Sequence, residues 1–518
     1  MKKELPLNIA PKIRTYSYYA YPHSIISAKE RIGEKAAKFI IKDFANYDWK
    51  ISSPCLTRKG NQGEFEYISD NPYQCDLNGC IYRELKEDDY IQVFLEFQQY
   101  SLPWGAINLF ITDEDNREMM DDEEYQCRFG YFNWQGLYLW NHGKECAVDR
   151  TNNRLPLYLL LHYKDNRIEA YAGKCETKLK RVGYFQWNRD DKHNYKIGIQ
   201  IKLNDNAYYN WLYSNFIQIS CDITNTDRRL DYYYGVQKDW KWNAVHYFLN
   251  HREIDICLLR KYGCLKYMKE CINKGQYIEL PVDQYYVKDR EEYGYYHHYH
   301  SNLIYGYDDK KKIFLMEGYT NHGVLVKTEI SYRDLNYILK KKDKISYVTV
   351  IEYRHDGYRY WCYEKYIVMM LREYLQGINS SYHLTNLVPQ TERIYGVKVY
   401  QEFLSERGME VFLKDKRISH LLYEHKVCMV ERIRFMEYKK MICGDAAEQA
   451  IRKADSISRK MFNVRNLVVK NQITEQEETV GLIRTMLNEI EQEEVRMLKE
   501  LLLTIHDADT GDEKEACS

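Results

Sequence analysis

The spacing of apolar residues changes along this chain, and that change constrains the fold more than any other feature. Up to about residue 222, apolar and polar residues alternate in short runs broken by Asn, Asp and Gly, the period of half-buried strands. Ile91, Val93 and Leu95 share one face of such a run, and Ile107, Leu109 and Ile111 share one face of the next. Residues 155–163, 167–171 and 195–203 repeat the pattern, and residues 210–219 are read as the last strand, with Ile217 and Ile219 on one face. Many strands at short spacing, with few helical stretches between them, predict an antiparallel β-sandwich of the jelly-roll type over residues 1–225.

Beyond it the pattern mixes. Residues 242–250 and 264–274 read as helices, with Gly275 as the stop after the second. Residues 277–283, 300–307, 312–316 and 345–352 read as strands, which makes residues 226–356 an α+β domain. From residue 357 the apolar residues recur every three or four positions, over 361–375, 417–440 and 474–505. The last of these carries a stripe of Val480, Ile483, Leu487, Ile490, Met497 and Leu501, better suited to packing within the chain than to a strict coiled-coil seam. Residues 357–505 form a helical extension, and residues 506–518 an acidic, flexible tail. The fold class is therefore multidomain: sandwich, central α+β domain, helical extension.

Charge and cysteine usage exclude several functions. With 75 Lys and Arg against 76 Asp and Glu, a broad basic surface for nucleic acid is not expected. No run approaches the ~20 apolar residues of a membrane helix, and the start, Met1-Lys2-Lys3-Glu4-Leu5-Pro6, lacks the apolar core of a signal peptide. A cytoplasmic protein with no membrane or nucleic-acid partner is expected. The 14 cysteines are dispersed with no CxxC pair, which argues against structural zinc and for buried or free thiols. No Walker A, GxGxxG, GxSxG, HExxH or EF-hand pattern occurs, and no cofactor is implied.

The richest stretch runs through three strands: Leu280-Pro281-Val282-Asp283-Gln284-Tyr285-Tyr286, then His300-Ser301-Asn302-Leu303-Ile304-Tyr305-Gly306-Tyr307-Asp308, then Ile313-Phe314-Leu315-Met316-Glu317-Gly318. A histidine opens the second and a carboxylate closes the third. A hairpin between them is expected to bring His300 and Glu317 together. A carboxylate on one ring nitrogen would fix the tautomer and leave the other nitrogen as a base. These residues resemble the papain-like fold of butirosin biosynthesis protein H and its relatives, and more distantly the bacteriocin-processing peptidases. In that family a His-x-x-x-x-x-Gly-Tyr-Asp type of strand carries the catalytic histidine, here His300, and an acidic residue ends the next strand, here Glu317 in place of the usual Asp. Asp415-x-Arg417-x-x-His420-Leu421-Leu422-x-Glu424-His425-Lys426 is similar to a helical extension of relatives in peptide-type natural-product clusters. The sandwich, through residues 195–203 and Tyr208-Tyr209-Asn210-Trp211-Leu212, resembles concanavalin-like jelly rolls.

The resemblance implies a cysteine nucleophile at the start of the domain's first helix. Trp242 and Asn243 stand there instead, and neither can form an acyl-enzyme. Three explanations follow. The domain is a degenerate peptidase or acyltransferase kept for binding or as a scaffold; or a relocated thiol, Cys257 or Cys221, serves it; or His300 acts without a covalent step, as base for an amine attacking a thioester. Catalysis is assigned to His300 and Glu317, and binding to Asn302, Tyr305, Trp242 and Asn243. The partner implied by the resemblance is an acyl or peptidyl carrier protein with a phosphopantetheine arm.

Other clusters read more plainly. His298 and His300 share a strand face, but a metal site there lacks a third ligand apart from Glu317, and none is expected. His420 and His425 are five apart, which the four-apart zinc motif does not allow, so a structural network through Glu424 and His425 is expected. Trp104, Trp134, Trp140 and Trp211 suit a sandwich core better than a sugar platform.

Overall fold

A computed structural model of the chain describes residues 2–28, 38–52, 56–59, 63–67, 76–96, 105–113, 127–132, 136–141, 144–149, 157–190, 192–204, 207–223, 229–232, 248–320, 323–341, 345–353, 364–380 and 393–505. The chain divides into two compact units. One comprises Ile26–Tyr208 with Tyr353–Arg359, the other Met1–Ile25, Tyr209–Glu352 and Tyr360–Ser518.

The first unit holds two seven-stranded sheets. One runs in the order Lys144–Asp149, Gly136–Asn141, Cys127–Phe132, Gly105–Thr112, Lys196–Asn204, Asp76–Glu84 and Lys50–Ile51; the other runs Lys180–Gln186, Arg167–Gly173, Leu157–Lys164, Asp89–Glu96, Lys38–Ile41, Glu64–Tyr67 and Leu56–Lys59. Neighbours are antiparallel throughout. Alternation is the cause: Leu157, Leu159, Leu161 and Tyr163 point in while the residues between them reach outward. They meet Ile107, Leu109, Ile111, Ile197, Ile199 and Ile201 of the other sheet in one core.

The second unit is built on a seven-stranded sheet. Its strands are β1 (Lys2–Glu4), β2 (Leu249–Asp255), β3 (Tyr277–Asp283), β4 (Tyr299–Asp308), β5 (Ile313–Tyr319), β6 (Leu325–Ser331) and β7 (Tyr347–Tyr353), in the order β2-β7-β3-β4-β5-β6 with β1 also paired to β4. Helices α1 (Ser17–Ile26), α2 (Cys264–Asn273), α3 (Tyr332–Lys340), α4 (Glu364–Gln376), α5 (Lys416–Tyr438), α6 (Gly444–Thr474) and α7 (Glu477–Thr504) complete the part used below. Helices α5, α6 and α7 pack in sequence, and the α7 stripe is buried at Ile483, Leu487, Ile490, Met497 and Leu501.

Four expectations need correction. Residues 1–25 belong with the α+β unit, not the sandwich, because β1 pairs Lys2, Lys3 and Glu4 with Asp308, Tyr307 and Gly306 of β4. A Cβ on Gly306 would stand 2.7 Å from the Lys3 carbonyl oxygen, so that approach requires glycine. The helical extension is not a separate unit from the central sheet. Residues 210–219 are not one strand: Ala207–Ser214 is helical and a short strand, Ile219–Asp222, follows. Trp211, Leu212, Tyr213 and Ser214 are all buried, so no face is left for the alternation a half-exposed strand needs, and packing overrides the aromatic strand preference. Finally, Leu249–Asp255 is a strand where the end of a helix over 242–250 was expected; residues 242–247 and the tail 506–518 lie outside the described residues.

Candidate functional site

The three strands that carry the sequence constellation form as read. β3 matches residues 277–283, and Gly275 adopts the left-handed conformation (φ 82°) that ends the α2 turn. β3 pairs with β4, setting Val282 opposite His300, and β4 pairs with β5. The β4–β5 register is what separates the expected pair. Leu303, not His300, stands opposite Glu317, and a bulge at Tyr305 shifts the ladder. Three residues along a strand put His300 on the other face from Leu303, hence from Glu317.

Glu317 is fully buried beneath α1. Ser24 donates its hydroxyl to Oε1 at 3.2 Å, while Oε2 has no hydrogen-bond partner. Burial pushes this carboxyl up to about 8, opposed first by the Ser24 hydrogen bond and then by the charge of Lys327. A protonated carboxyl bound to Ser24 cannot serve as the orienting anion for His300.

His300 is oriented by the backbone instead. Its Nδ1 donates to the Ser301 carbonyl at 3.0 Å, which fixes the proton there and leaves Nε2 as the acceptor. Burial is the main cause of its lowered pKa, and the nearby His298 and Arg290 push the same way, so the ring is neutral at pH 7. Its partners and those of His298, whose Nδ1 lies 3.0 Å from Glu292, show each imidazole separately engaged. Among the described residues no three-donor metal cluster occurs.

Asn302 and Tyr305, expected to line a cleft, are buried in the sheet. Asn302 donates to the His300 carbonyl at 2.8 Å, and neither it nor Tyr305 reaches the cavity wall described next. Trp242 and Asn243 lie outside the described residues.

At the end of the sheet where β4 begins and β5 ends, His300 lines a cavity of about 800 Å³. The segment before α1 supplies Arg14, Thr15 and Tyr16, and Arg229 adds a further guanidinium. Asp415, Lys416, Arg417 and His420 come from the start of α5, and Arg465 comes from α6. None of the described lining residues is a cysteine. Cys221 is buried and Cys257 is exposed on a short helix capped by Asp255, so neither relocated thiol is in this wall.

The wall is held by a second carboxylate that sequence reading placed in a structural network. Glu424 accepts from the Arg14 and Thr15 amides at 3.1 and 3.2 Å and from the Thr15 hydroxyl, and it faces His420 Nε2 at 3.1 Å. His420 and Glu424 are four apart on α5 and meet on one face. His420 braces the wall through Nε2 and Glu424, and its Nδ1 is buried without a hydrogen-bond partner. His425 faces elsewhere: Nε2 donates to the Ile217 carbonyl at 2.8 Å and Nδ1 accepts from Lys426 at 3.1 Å. The five-residue spacing thus separates the two histidines as expected.

Neither protein-family profiles nor curated proteins match the chain. Among solved structures it has a distant match to VIP36. The exoplasmic/lumenal domain of VIP36 in its Ca2+/Man3GlcNAc-bound form is 11% identical, over 30% of this chain and 77% of that one, with a TM-score of 0.19. The Ca2+/Man-bound form is 9% identical, over 30% and 80%, with a TM-score of 0.18. In this chain Trp211 is core in the α+β unit, Trp140 is half-buried under the Arg128 guanidinium at 4.4 Å, and Trp104 and Trp134 lie outside the described residues. Among the described residues no helix is long and apolar enough to cross a membrane.

Sequence reasoning missed the cationic wall. Its members, Arg14, Arg229, Lys416, Arg417 and Arg465, are spread along the chain and form no motif. The one signal was the Asp415–Lys426 stretch, noted for its resemblance rather than for its charge.

Proposed function

We propose that the α+β unit is a papain-like domain of a bacterial peptide-type natural-product pathway that accepts an acyl or peptidyl group and transfers it without an acyl-enzyme. The carrier would be an acyl or peptidyl carrier protein presenting a thioester on its phosphopantetheine arm. The observation that carries this reading is His300 itself: a neutral imidazole, held by the Ser301 carbonyl, on the wall of an 800 Å³ cavity with no cysteine in its described lining. An amine nitrogen attacks the thioester carbonyl carbon, His300 Nε2 takes the proton from that nitrogen, the C–S bond breaks, and the leaving thiolate takes the proton from the imidazolium. General-base catalysis of this kind contributes about 10²–10⁴-fold.

The same lack of a thiol favours a second reading, in which the domain only binds the acyl group. One experiment separates them. The full chain is incubated with an acyl N-acetylcysteamine thioester and an amine, and amide is measured by mass spectrometry. Turnover that falls about 10²-fold or more in His300→Gln supports transfer. Saturable thioester binding with no turnover supports the binding role, and absence of both rejects each.

A further inference from the structure

The cavity wall carries more positive charge than its carboxylates answer. Arg417 is gripped by Asp415 through Nε at 2.8 and 3.0 Å and Nη2 at 2.7 Å. Arg229 pairs with Asp231 at 3.1 Å. The Arg14 guanidinium lies 3.9 Å from Glu424, whose oxygens already serve Thr15, the Arg14 amide and His420. Lys416 and Arg465 have no carboxylate at ion-pair distance among the described residues. Among the described residues two cations therefore line the cavity without a carboxylate partner, Arg465 with its guanidinium 6.0 and 5.8 Å from the Tyr423 and Phe462 rings, in a chain whose net charge is only -1. Gathering like charges in one concave site is costly unless an anion joins them, and such a site focuses its field on anions.

We infer that this cavity binds a phosphate-bearing small molecule, with Lys416 and Arg465 as the principal ligands of the phosphate and Arg14 as a third. A phosphomonoester carries close to two negative charges and matches the surplus, which a single carboxylate does not. A guanidinium presents a planar fork to phosphate oxygens and an ammonium a compact charge, the pair commonly used for this group. Tyr16 and Tyr18 are stacked with their rings 4.9 Å apart and 12° from parallel, and Arg229 lies 4.6 and 4.8 Å from their centroids, so a flat, amphipathic wall continues from the cationic one. The volume suits a ligand of metabolite size. Such a ligand would place its other end toward His300. The inference rests on the cavity being the ligand site proposed above and adds what holds the ligand; the phosphate of a carrier arm is a diester with a single charge, so the charge match points to a free phosphomonoester.

The test uses the full chain and phenyl phosphate as probe, with benzoate as the monoanionic comparison, both followed by calorimetry. Phenyl phosphate should bind about tenfold tighter than benzoate and weaken as salt rises. The K416Q/R465Q double variant should lose about tenfold in affinity or more. Lys416→Arg should keep most of it. Both altered residues lie at the surface of the cavity, so melting curves should overlay the parent's, and Lys453→Gln on a remote exposed pair should bind as the parent does. No saturable binding below about 10 mM, or equal binding by the double variant, overturns the inference. Phenyl phosphate binding and amide formation are separate readouts. Transfer without phosphate binding sinks this inference and leaves the role of His300 standing, and phosphate binding without transfer does the reverse.

Discussion

Two buried glutamates in the α+β unit, Glu317 on β5 and Glu494 on α7, have no exposed surface and opposite fates. Glu494 receives Lys426 Nζ at 2.5 and 2.7 Å and the hydroxyls of Tyr374 and Tyr400 at 3.1 Å each. Lys426 in turn reaches the Tyr374 oxygen at 2.9 Å and His425 Nδ1 at 3.1 Å, and His425 passes the chain on to Ile217. Burial pulls the Lys426 pKa down while Glu494 holds it up, and it drives both tyrosines well above their ordinary range. Glu317 has one hydroxyl donor and no buried cation, and keeps its proton to about pH 8. Burial sets the cost of a charge; the partner brought from another element decides whether the charge survives.

The largest effect that would break this comparison is on the ion pair. Lys426→Met should cost about 3–5 kcal/mol in urea unfolding by stranding Glu494, and adding Glu494→Leu should recover most of it. If Lys426→Met costs under about 1 kcal/mol, the network is not the tie between α4, α5 and α7 that its geometry describes.

Glu317→Gln sharpens the other side. The folded carboxyl holds its proton to about pH 8, whereas the unfolded chain releases it near 4.3. Stability from this group is full below the unfolded value, falls as pH rises through the interval, and levels off above the folded value. Gln cannot ionise, so the variant should match the parent at pH 4 and exceed it at pH 8, by on the order of 4 kcal/mol. Parallel stability curves across that range would show Glu317 to be ionised in the folded state.

Glu424→Gln lies between the two cases. The amide keeps one acceptor for the Arg14 and Thr15 amides but loses the charge facing His420, so a loss of about 1–2 kcal/mol is expected by thermal unfolding. The smallest effect belongs to an exposed pair of the same residue types, Lys453 and Glu500: Lys453→Ala should change stability by less than about 0.5 kcal/mol.

The hairpin offers the clearest case of what could be read in advance. Glu317 lies four residues after Ile313, which pairs with Asp308, so counting back from the turn already points near Ile304 and not to His300. The bulge then moves the partner to Leu303, a shift no local pattern announces. On α7, Glu494 stands in the gap of the apolar stripe between Ile490 and Met497; the gap was legible, its cation on α5 was not. The pairing of Lys2–Glu4 with Asp308–Gly306 joins residues some three hundred positions apart, beyond any window of periodicity.

Apolar period, turn residues and caps lie close together along the chain, and from them the alternating strands of the sandwich, β3 to β5 and the striped helices followed directly. The tertiary structure alone decided which face His300 takes, that Glu317 is protonated beneath α1, and that Arg14, Lys416 and Arg465 converge on one cavity. Those are matters of charge and solvent, and both depend on neighbours that only folding brings near.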